Sequence, residues 1–284
     1  MSSSSESGGR SLRSSVIVGL LLGGTFLASI LVIPQLFILL VSAACSAGAW
    51  ELSTALRQRG WYVPRVPVTV GSALIMPIAY LGGTANGAQW QWMAAFVIVL
   101  ALIIWRQIHI MFQGKQDDRT LRHTLQDFAA AAFVVAYLPL TLSFSALLLA
   151  HEDGQWWVLI FVTTVAFIDT AGYLVGRKFG RHKLAPGVSP KKTWEGLLAS
   201  ITAGSLVSIT GCLILGKPIW FALLFAGCML LAAVFGDLAE SLIKRDLGIK
   251  DMSSLLPGHG GIMDRLDSII PATLIAYLLL QLPI

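Results

Sequence analysis

The sequence predicts an all-α fold: a polytopic integral membrane helical bundle of about nine transmembrane helices with a cytoplasmic N-terminus. Three observations carry that prediction. The mean hydropathy is +0.75, and 56% of the 284 residues are hydrophobic against 12% charged, far outside the balance of a soluble domain of this length. Apolar runs repeatedly approach or exceed the roughly 20 residues that a helix needs to cross hydrocarbon. Finally, nineteen of the twenty lysines and arginines fall in alternate polar segments, as the positive-inside rule requires of a chain threaded through a bilayer.

The elements follow in order. Met1 to Ser15 is rich in Ser and Gly, which predicts a disordered cytoplasmic tail over residues 1–15. The first apolar run, Val16–Ile33, is too long for the core of a signal peptide and lacks a small-x-small cleavage site, so it reads as a retained span. Further spans are predicted over Leu36–Leu56, Val68–Leu81, Trp90–Met111, Phe128–Ala150, Trp156–Val175, Leu197–Leu215, Ile219–Ile243 and Ile269–Leu282. The third and ninth are short. Pro77 and Pro139 fall inside spans, where neighbouring helices can satisfy the backbone groups they free. Most of the nine tryptophans lie near span ends and read as an interfacial belt. The chain divides into N-terminal transmembrane helices over residues 16–155 and a C-terminal transmembrane region with cytoplasmic loops over 156–284, where the polar motifs crowd.

Charge sets the topology. The basic segments hold Arg10 and Arg13; Arg57, Arg59 and Arg65; Arg106, Lys115, Arg119 and Arg122; six cations between Arg177 and Lys192; and Lys244, Arg245, Lys250 and Arg265. Lys217 alone falls on the other face. An odd number of spans follows, with the C-terminus outside. The net charge of +5 belongs to these loops, and no nucleic acid is expected as a partner. Cys45, Cys212 and Cys228 lie far apart in apolar runs, which excludes a disulfide framework and a cysteine metal site. No internal repeat of the transporter kind is visible.

Three places hold ionisable residues that topology does not explain. Asp169, in Ala-Phe-Ile-Asp-Thr-Ala-Gly-Tyr, sits within the sixth span, where a carboxylate is costly unless it faces a polar cavity, pairs with a neighbouring helix or is protonated. The loop 176–196 combines glycines, six cations and Val-Ser-Pro-Lys-Lys-Thr-Trp-Glu-Gly. Ser189, Lys191, Lys192 and Thr193 could grip phosphate, although charge alone better fits a positive-inside loop beside anionic headgroups. It is not a Walker loop. The third place is the polar island Ser241 to Asp267, with four basic residues and four aspartates in 27 positions. Just before and within it, Asp237, Glu240, Ser241 and Lys244 share one helical stripe. Beyond Leu256-Pro257-Gly258-His259-Gly260-Gly261, the spacing of three recurs at Asp264 and Asp267. Two acidic stripes across a glycine turn, with Asp169 from a third helix, suggest oxygen ligands for a hard cation, above all Mg²⁺. His259 reads either as a turn residue or as a donor to phosphate, beside Lys250 and Arg265.

The island resembles the signature of the phosphatidate cytidylyltransferase (CDP-diacylglycerol synthase) family. Ser241, Lys244, Arg245, Lys250, Asp251, Ser253, Leu256, Pro257, His259, Gly260, Gly261, Asp264, Arg265 and Asp267 meet its fixed positions, and the Asp169 and Ser189–Gly196 segments are similar to that family as well. The resemblance spans roughly Trp156 to Pro271. It implies a nucleotidyltransferase that converts CTP and phosphatidic acid to CDP-diacylglycerol and pyrophosphate in phospholipid biosynthesis, with Mg²⁺ and a second cation such as K⁺. It also implies a homodimer among membrane lipids, set in the cell (inner or plasma) membrane with its active site on the cytoplasmic side. Carried over by position, Asp237, Asp264 and Asp169 are the implied metal ligands, with Asp267 beside them. Lys191, Lys192, Lys244, Arg245 and His259 are the implied phosphate-binding groups, and Ser189, Thr193, Lys250, Arg265, Gly260 and Gly261 the surrounding substrate-binding set.

Three other classes account for less. An ion-coupled transporter would explain Asp169 and Asp237 but not the His-Gly-Gly turn. A CTP-dependent lipid kinase would use similar parts. The Asp-Gly-x-x-Ala-Arg pattern of CDP-alcohol phosphotransferases is missing.

Overall fold

The computed structural model describes residues 23–113, 121–185, 187, 189–255 and 260–283. Their helices run in chain order as α1 (Gly23–Val32), α2 (Pro34–Gln58), α3 (Arg65–Leu81), α4 (Gly83–Gln113), α5 (Leu121–Val135), a π turn (Ala136–Leu140), α6 (Thr141–Ala150) and α7 (Gly154–Phe179). A two-stranded hairpin follows, β1 (Lys183–Ala185) and β2 (Ser189–Thr193), then α8 (Trp194–Ile214), α9 (Ile219–Asp246), the single turn α10 (Met263–Leu266) and α11 (Ile269–Leu280).

Among the described residues six helical segments are long and apolar enough to cross a membrane: α2, α4, the continuous α5–π–α6 rod, α7, α8 and α9. The third and ninth sequence-predicted spans fall on shorter helices, α3 and α11, of which α11 has 12 residues, while the first lies partly outside the described residues, its described part being α1. The predicted tail, residues 1–15, lies outside the described residues. The loop after α7 departs from the all-α expectation. It folds into an antiparallel hairpin, Lys183 opposite Thr193 and Ala185 opposite Ser189.

Local chemistry sets the helix limits. Pro34 opens α2, where its fixed φ suits the first turn and its missing N–H costs nothing. Thr193 caps α8, its Oγ1 accepting the Gly196 N–H at 3.1 Å. The π turn holds Pro139, which cannot donate to the ladder. Side chains take up the disturbed carbonyls there: Thr141 Oγ1 donates to Ala136 O at 2.8 Å, while Ser143 Oγ and Gln91 Nε2 both donate to Leu140 O. A proline inside a span is tolerated on those terms.

Packing separates buried from lipid-facing helices. Phe37, Phe161, Phe221 and Phe225 are fully enclosed, and α6 is buried on all sides against α3 and α11. By contrast α4 presents Met93, Phe96, Val97, Leu100 and Ile104 outward, as a helix bathed in acyl chains does. The most extensive contact is α7 along α8. Small residues allow it: a side chain on Gly172 would collide with Ser200 Oγ, and one on Gly196 would reach Gly172 O. Ser200 seals the crossing by donating to Ile168 O at 2.6 Å. That close approach carries the hairpin and Asp169 to one wall.

Candidate active site

A cavity of about 960 Å³ opens between the C-terminal halves of α7 and α9, the hairpin, and α10. Both long helices end there in cations, Arg177 and Lys178 on α7 and Lys244 and Arg245 on α9. Its wall brings together Asp169, Ser189, Lys191, Lys192, Thr193, Asp237, Asp264, Arg265 and Asp267, residues that lie up to 98 positions apart in the chain. Arg177, Lys183 and Ser268 also line it.

The acidic side is built from three helices. Asp169 stands on α7 and opens to the cavity, and Ser268 Oγ approaches it at 3.4 Å. Asp237 stands on α9 with Ser241 Oγ at 3.4 Å, as their spacing of four predicts. Its Oδ2 meets Lys192 Nζ from β2 at 2.6 Å. Asp264 on α10 is almost enclosed, with 7% of its side chain exposed. Burial alone would raise its carboxyl. The Lys244 ammonium at 2.8 Å and the N–H groups of Gly261 (2.7 Å) and Met252 (3.0 Å) outweigh that and hold it below the usual range. Asp267 differs. Burial first, then the negative charge of Asp237 and Asp169, push it up to about 7 against the single N–H of Ser268 at 2.7 Å.

Lys244 bridges two acids, lying 2.6 Å from Glu240 Oε2 as well as 2.8 Å from Asp264. Glu240 is wholly buried, and the Lys244 ammonium is its ion-pair partner one helical turn on. The predicted stripe Asp237, Glu240, Ser241, Lys244 therefore exists as one face of α9.

Other predicted residues take different places. Arg245 turns to the hairpin, Nη1 donating to Gly187 O at 2.6 Å, and is exposed. Lys250 is exposed and, like Arg245 and Lys244, stands apart from the cavity wall. Thr193 faces the cavity while its hydroxyl caps α8. Gly260 has φ +81°, a left-handed turn in which a side chain would press on Asp264 Oδ2. His259 lies outside the described residues.

Sequence reasoning missed Glu51. It stands on α2, 4% exposed, and accepts from Ser253 Oγ (2.5 Å) and the N–H groups of Ile262 (3.0 Å) and Met263 (2.9 Å). It also missed a second buried cluster, in which Arg106 on α4 grips Asp127 on α5 through Nε and Nη2, at 3.1 and 2.9 Å. The Tyr62 N–H completes that carboxylate at 2.7 Å.

A divalent cation can be tested against these donors. Among the described residues no three acidic, imidazole or thiol side chains converge closely enough to hold an ion unaided. Mg²⁺ does not need that, since it commonly takes one or two carboxylates and fills its remaining positions with water and phosphate oxygens. Asp169, Asp237 and Asp264 supply hard oxygens to the cavity, with Asp267 beside them, close enough to Asp237 and Asp169 that their charge raises it. The donor set fits.

A helical membrane bundle whose large polar cavity pairs carboxylates with phosphate-type cations defines a class of enzymes that act on anionic substrates at a bilayer. The chain belongs to the cytidylyltransferase family, whose model matches residues 13–283. It is 35% identical over 282 residues to the phosphatidate cytidylyltransferase of Mycobacterium leprae, covering 96% of this chain and 89% of the relative. Identity to the enzyme of that name from Mycobacterium bovis is 37% over 285 residues, covering 96% and 90%. To that of Aquifex aeolicus it is 30% over 275 residues, covering 97% and 93%. The chain is thus a nucleotidyltransferase and an integral membrane protein, and the similarity extends through the N-terminal helices as well as the motif region.

Proposed function

We propose that the chain transfers the cytidylyl group of CTP to phosphatidic acid, giving CDP-diacylglycerol and pyrophosphate in phospholipid biosynthesis. The observation that carries this reading is that one cavity is lined by four carboxylates (Asp169, Asp237, Asp264, Asp267) together with phosphate-type cations (Lys191, Lys192, Arg177, Arg265). They meet where two long apolar helices end. The relatives' names point the same way.

The chemistry follows from the charges. The lipid phosphate is already ionised near neutral pH, so its oxygen needs no strong base to attack. A bond forms from that oxygen to the α-phosphorus of CTP. The bond from α-phosphorus to the bridging oxygen breaks, and pyrophosphate leaves with the electron pair. The demand on the protein is to hold two polyanions together and to neutralise charge as it moves to the leaving group. Lys191, Lys192 and Arg265 face the space those phosphates would fill, with His259 and Lys250 as further donors from the motif. Lys192 rests on Asp237, so an arriving triphosphate competes with a carboxylate for that ammonium. Lys244 fixes Asp264. Arg245, through Gly187, holds the hairpin that carries Lys191 and Lys192. Asp237, Asp264 and Asp169 would hold Mg²⁺, with a second cation such as K⁺ beside it; bound there, a cation supplies charge stabilisation to the phosphoryl oxygens. Asp267 adds to the field that retains it.

The same reading sets the chain in the cell (inner or plasma) membrane as a nine-span homodimer, N-terminus and cavity on the cytoplasmic side. Nineteen of twenty cations on one face support that side. The test is purified protein in detergent with Mg²⁺, phosphatidic acid and CTP. Pyrophosphate should appear only when both substrates are present, with cytidine joined to lipid in equal amount. Lipid phosphorylation with release of CDP would replace the reading with a kinase, and ion flux in liposomes without turnover would replace it with a transporter.

A further inference from the structure

We propose that Glu51 is a positioning residue for Asp264: from α2 it locks the two arms of the motif loop against each other, and so sets where the Asp264 carboxylate stands. The inference rests on the reading that Asp264 serves the transfer. Glu51 itself does not line the cavity, so it acts through others.

The geometry is a clamp with two jaws. On one side Asp264 accepts from Met252 N–H and Gly261 N–H, tying the segment after α9 to the segment before α10. On the other side Glu51 ties the same two segments, accepting from Ser253 on the first and from Ile262 and Met263 on the second. The second pair of donors immediately precedes Asp264 in the chain. A buried carboxylate is costly unless hydrogen-bonded, and charge-assisted bonds to N–H and O–H groups offset that cost here. Both oxygens are used: Oε1 takes Ser253 and Ile262, Oε2 takes Met263.

Gly261 supplies an independent sign that the clamp is built. A Cβ placed on it would lie 2.6 Å from Glu51 Oε2 and 2.9 Å from Oε1. The second glycine of His-Gly-Gly is therefore explained by a glutamate more than 200 positions away, while the first is explained by its positive φ. Just past the end of α2, Arg59 Nε donates to Leu247 O at 2.9 Å, at the point where α9 ends and the loop begins. The C-terminal half of α2 and its cap residue thus hold the loop at its start and at its finish. An N-terminal helix is part of the catalytic apparatus without touching its cavity.

The test compares Glu51→Gln, Ser253→Ala and Asp264→Asn with the parent enzyme in detergent. Each is read by kcat, by KM for CTP and for phosphatidic acid, by thermal unfolding and by amide hydrogen exchange. Glu51→Gln retains the shape but turns a donor toward Met263 N–H. We expect kcat to fall about 10- to 100-fold, the range for losing a partner that orients a catalytic carboxylate. Both KM values should stay within about threefold, and the segment around Ile262 and Met263 should exchange faster. Glu51→Asp, which retains the charge, should recover part of kcat. Ser253→Ala, a mild change that also reports if Glu51→Gln fails to fold, should lower kcat alone by roughly threefold, less than the Glu51 change. Normal kcat in Ser253→Ala and Glu51→Gln beside an inactive Asp264→Asn overturns the clamp and leaves the function standing. So does loss of thermal stability without loss of kcat. Full turnover in Asp264→Asn takes Asp264 out of the transfer and overturns the clamp with it, whereas a parent enzyme that makes no cytidylyl lipid overturns the function reading instead.

Discussion

Two buried charge clusters can be set side by side, one in each half of the molecule. In the N-terminal half, Arg106 and Asp127 are 4% and 2% exposed, paired at 2.9 Å through two donors, with the Tyr62 N–H and its ring completing the enclosure. In the C-terminal half, Lys192 and Asp237 pair at 2.6 Å but retain 22% and 33% side-chain exposure to a cavity, with Asp169 and Asp267 alongside. The first cluster is closed: its partners are fixed, and it ties α4, α5 and the α2–α3 loop together. The second is open, its carboxylates and cations lining a cavity of about 960 Å³. Similar residue types are therefore closed off in one place and left facing a cavity in the other, and completeness of pairing tells them apart.

That contrast can be broken in a graded way. The largest effect should come from Asp264→Asn and Asp237→Asn, each expected to lower kcat about 10³-fold, roughly 4 kcal/mol of transition-state stabilisation; the unfolding temperature should change little in Asp237→Asn and fall in Asp264→Asn, which loses a buried pair with Lys244. Near-normal turnover in either would remove it from the metal-binding set. Next is Asp127→Asn, which leaves Arg106 without its charge partner. It should cost about 3 kcal/mol of stability, as loss of one member of a buried pair does. Turnover per folded molecule should persist, and a specific loss of kcat at full stability would merge the two clusters into one function. Lys192→Ala should raise KM for CTP roughly tenfold, the loss of one charge-assisted phosphate contact. The smallest effect is expected from Arg245→Ala: an exposed latch on Gly187 should change KM for CTP by about threefold, in the range of a weak surface interaction. A hundredfold loss there would return Arg245 to direct phosphate binding.

How much of this the sequence disclosed depends on range. Asp169 and Asp237 stand out because a carboxylate in an apolar run has no topological reason to be there, and Asp264 and Asp267 because they repeat the spacing of three beyond a glycine turn; the structure brings all four to one cavity. The stripe on α9 is readable because its partners are three and four residues apart. Glu51 also lies inside a predicted span, Leu36–Leu56, but its role is not readable, since its partners lie across the chain. Arg106 and Asp127 hide for the same reason, Arg106 reading as a positive-inside residue. The hairpin is obscured by a loop rich in cations and glycine, whose pairing covers few residues and shifts register. The short helices α3 and α11 reflect the limits of hydropathy, which measures what is apolar and not whether lipid or protein covers it.

The most direct test follows the phosphorus. Parent enzyme and Asp237→Asn are given phosphatidic acid and Mg²⁺ with CTP labelled either at the α- or at the γ-phosphate, and lipid and aqueous products are separated. The account predicts that α-label enters lipid, that γ-label leaves entirely as pyrophosphate, and that Asp237→Asn does neither while remaining folded. Label from the γ-position in lipid, or α-label transferred at the parent rate by Asp237→Asn, would contradict it.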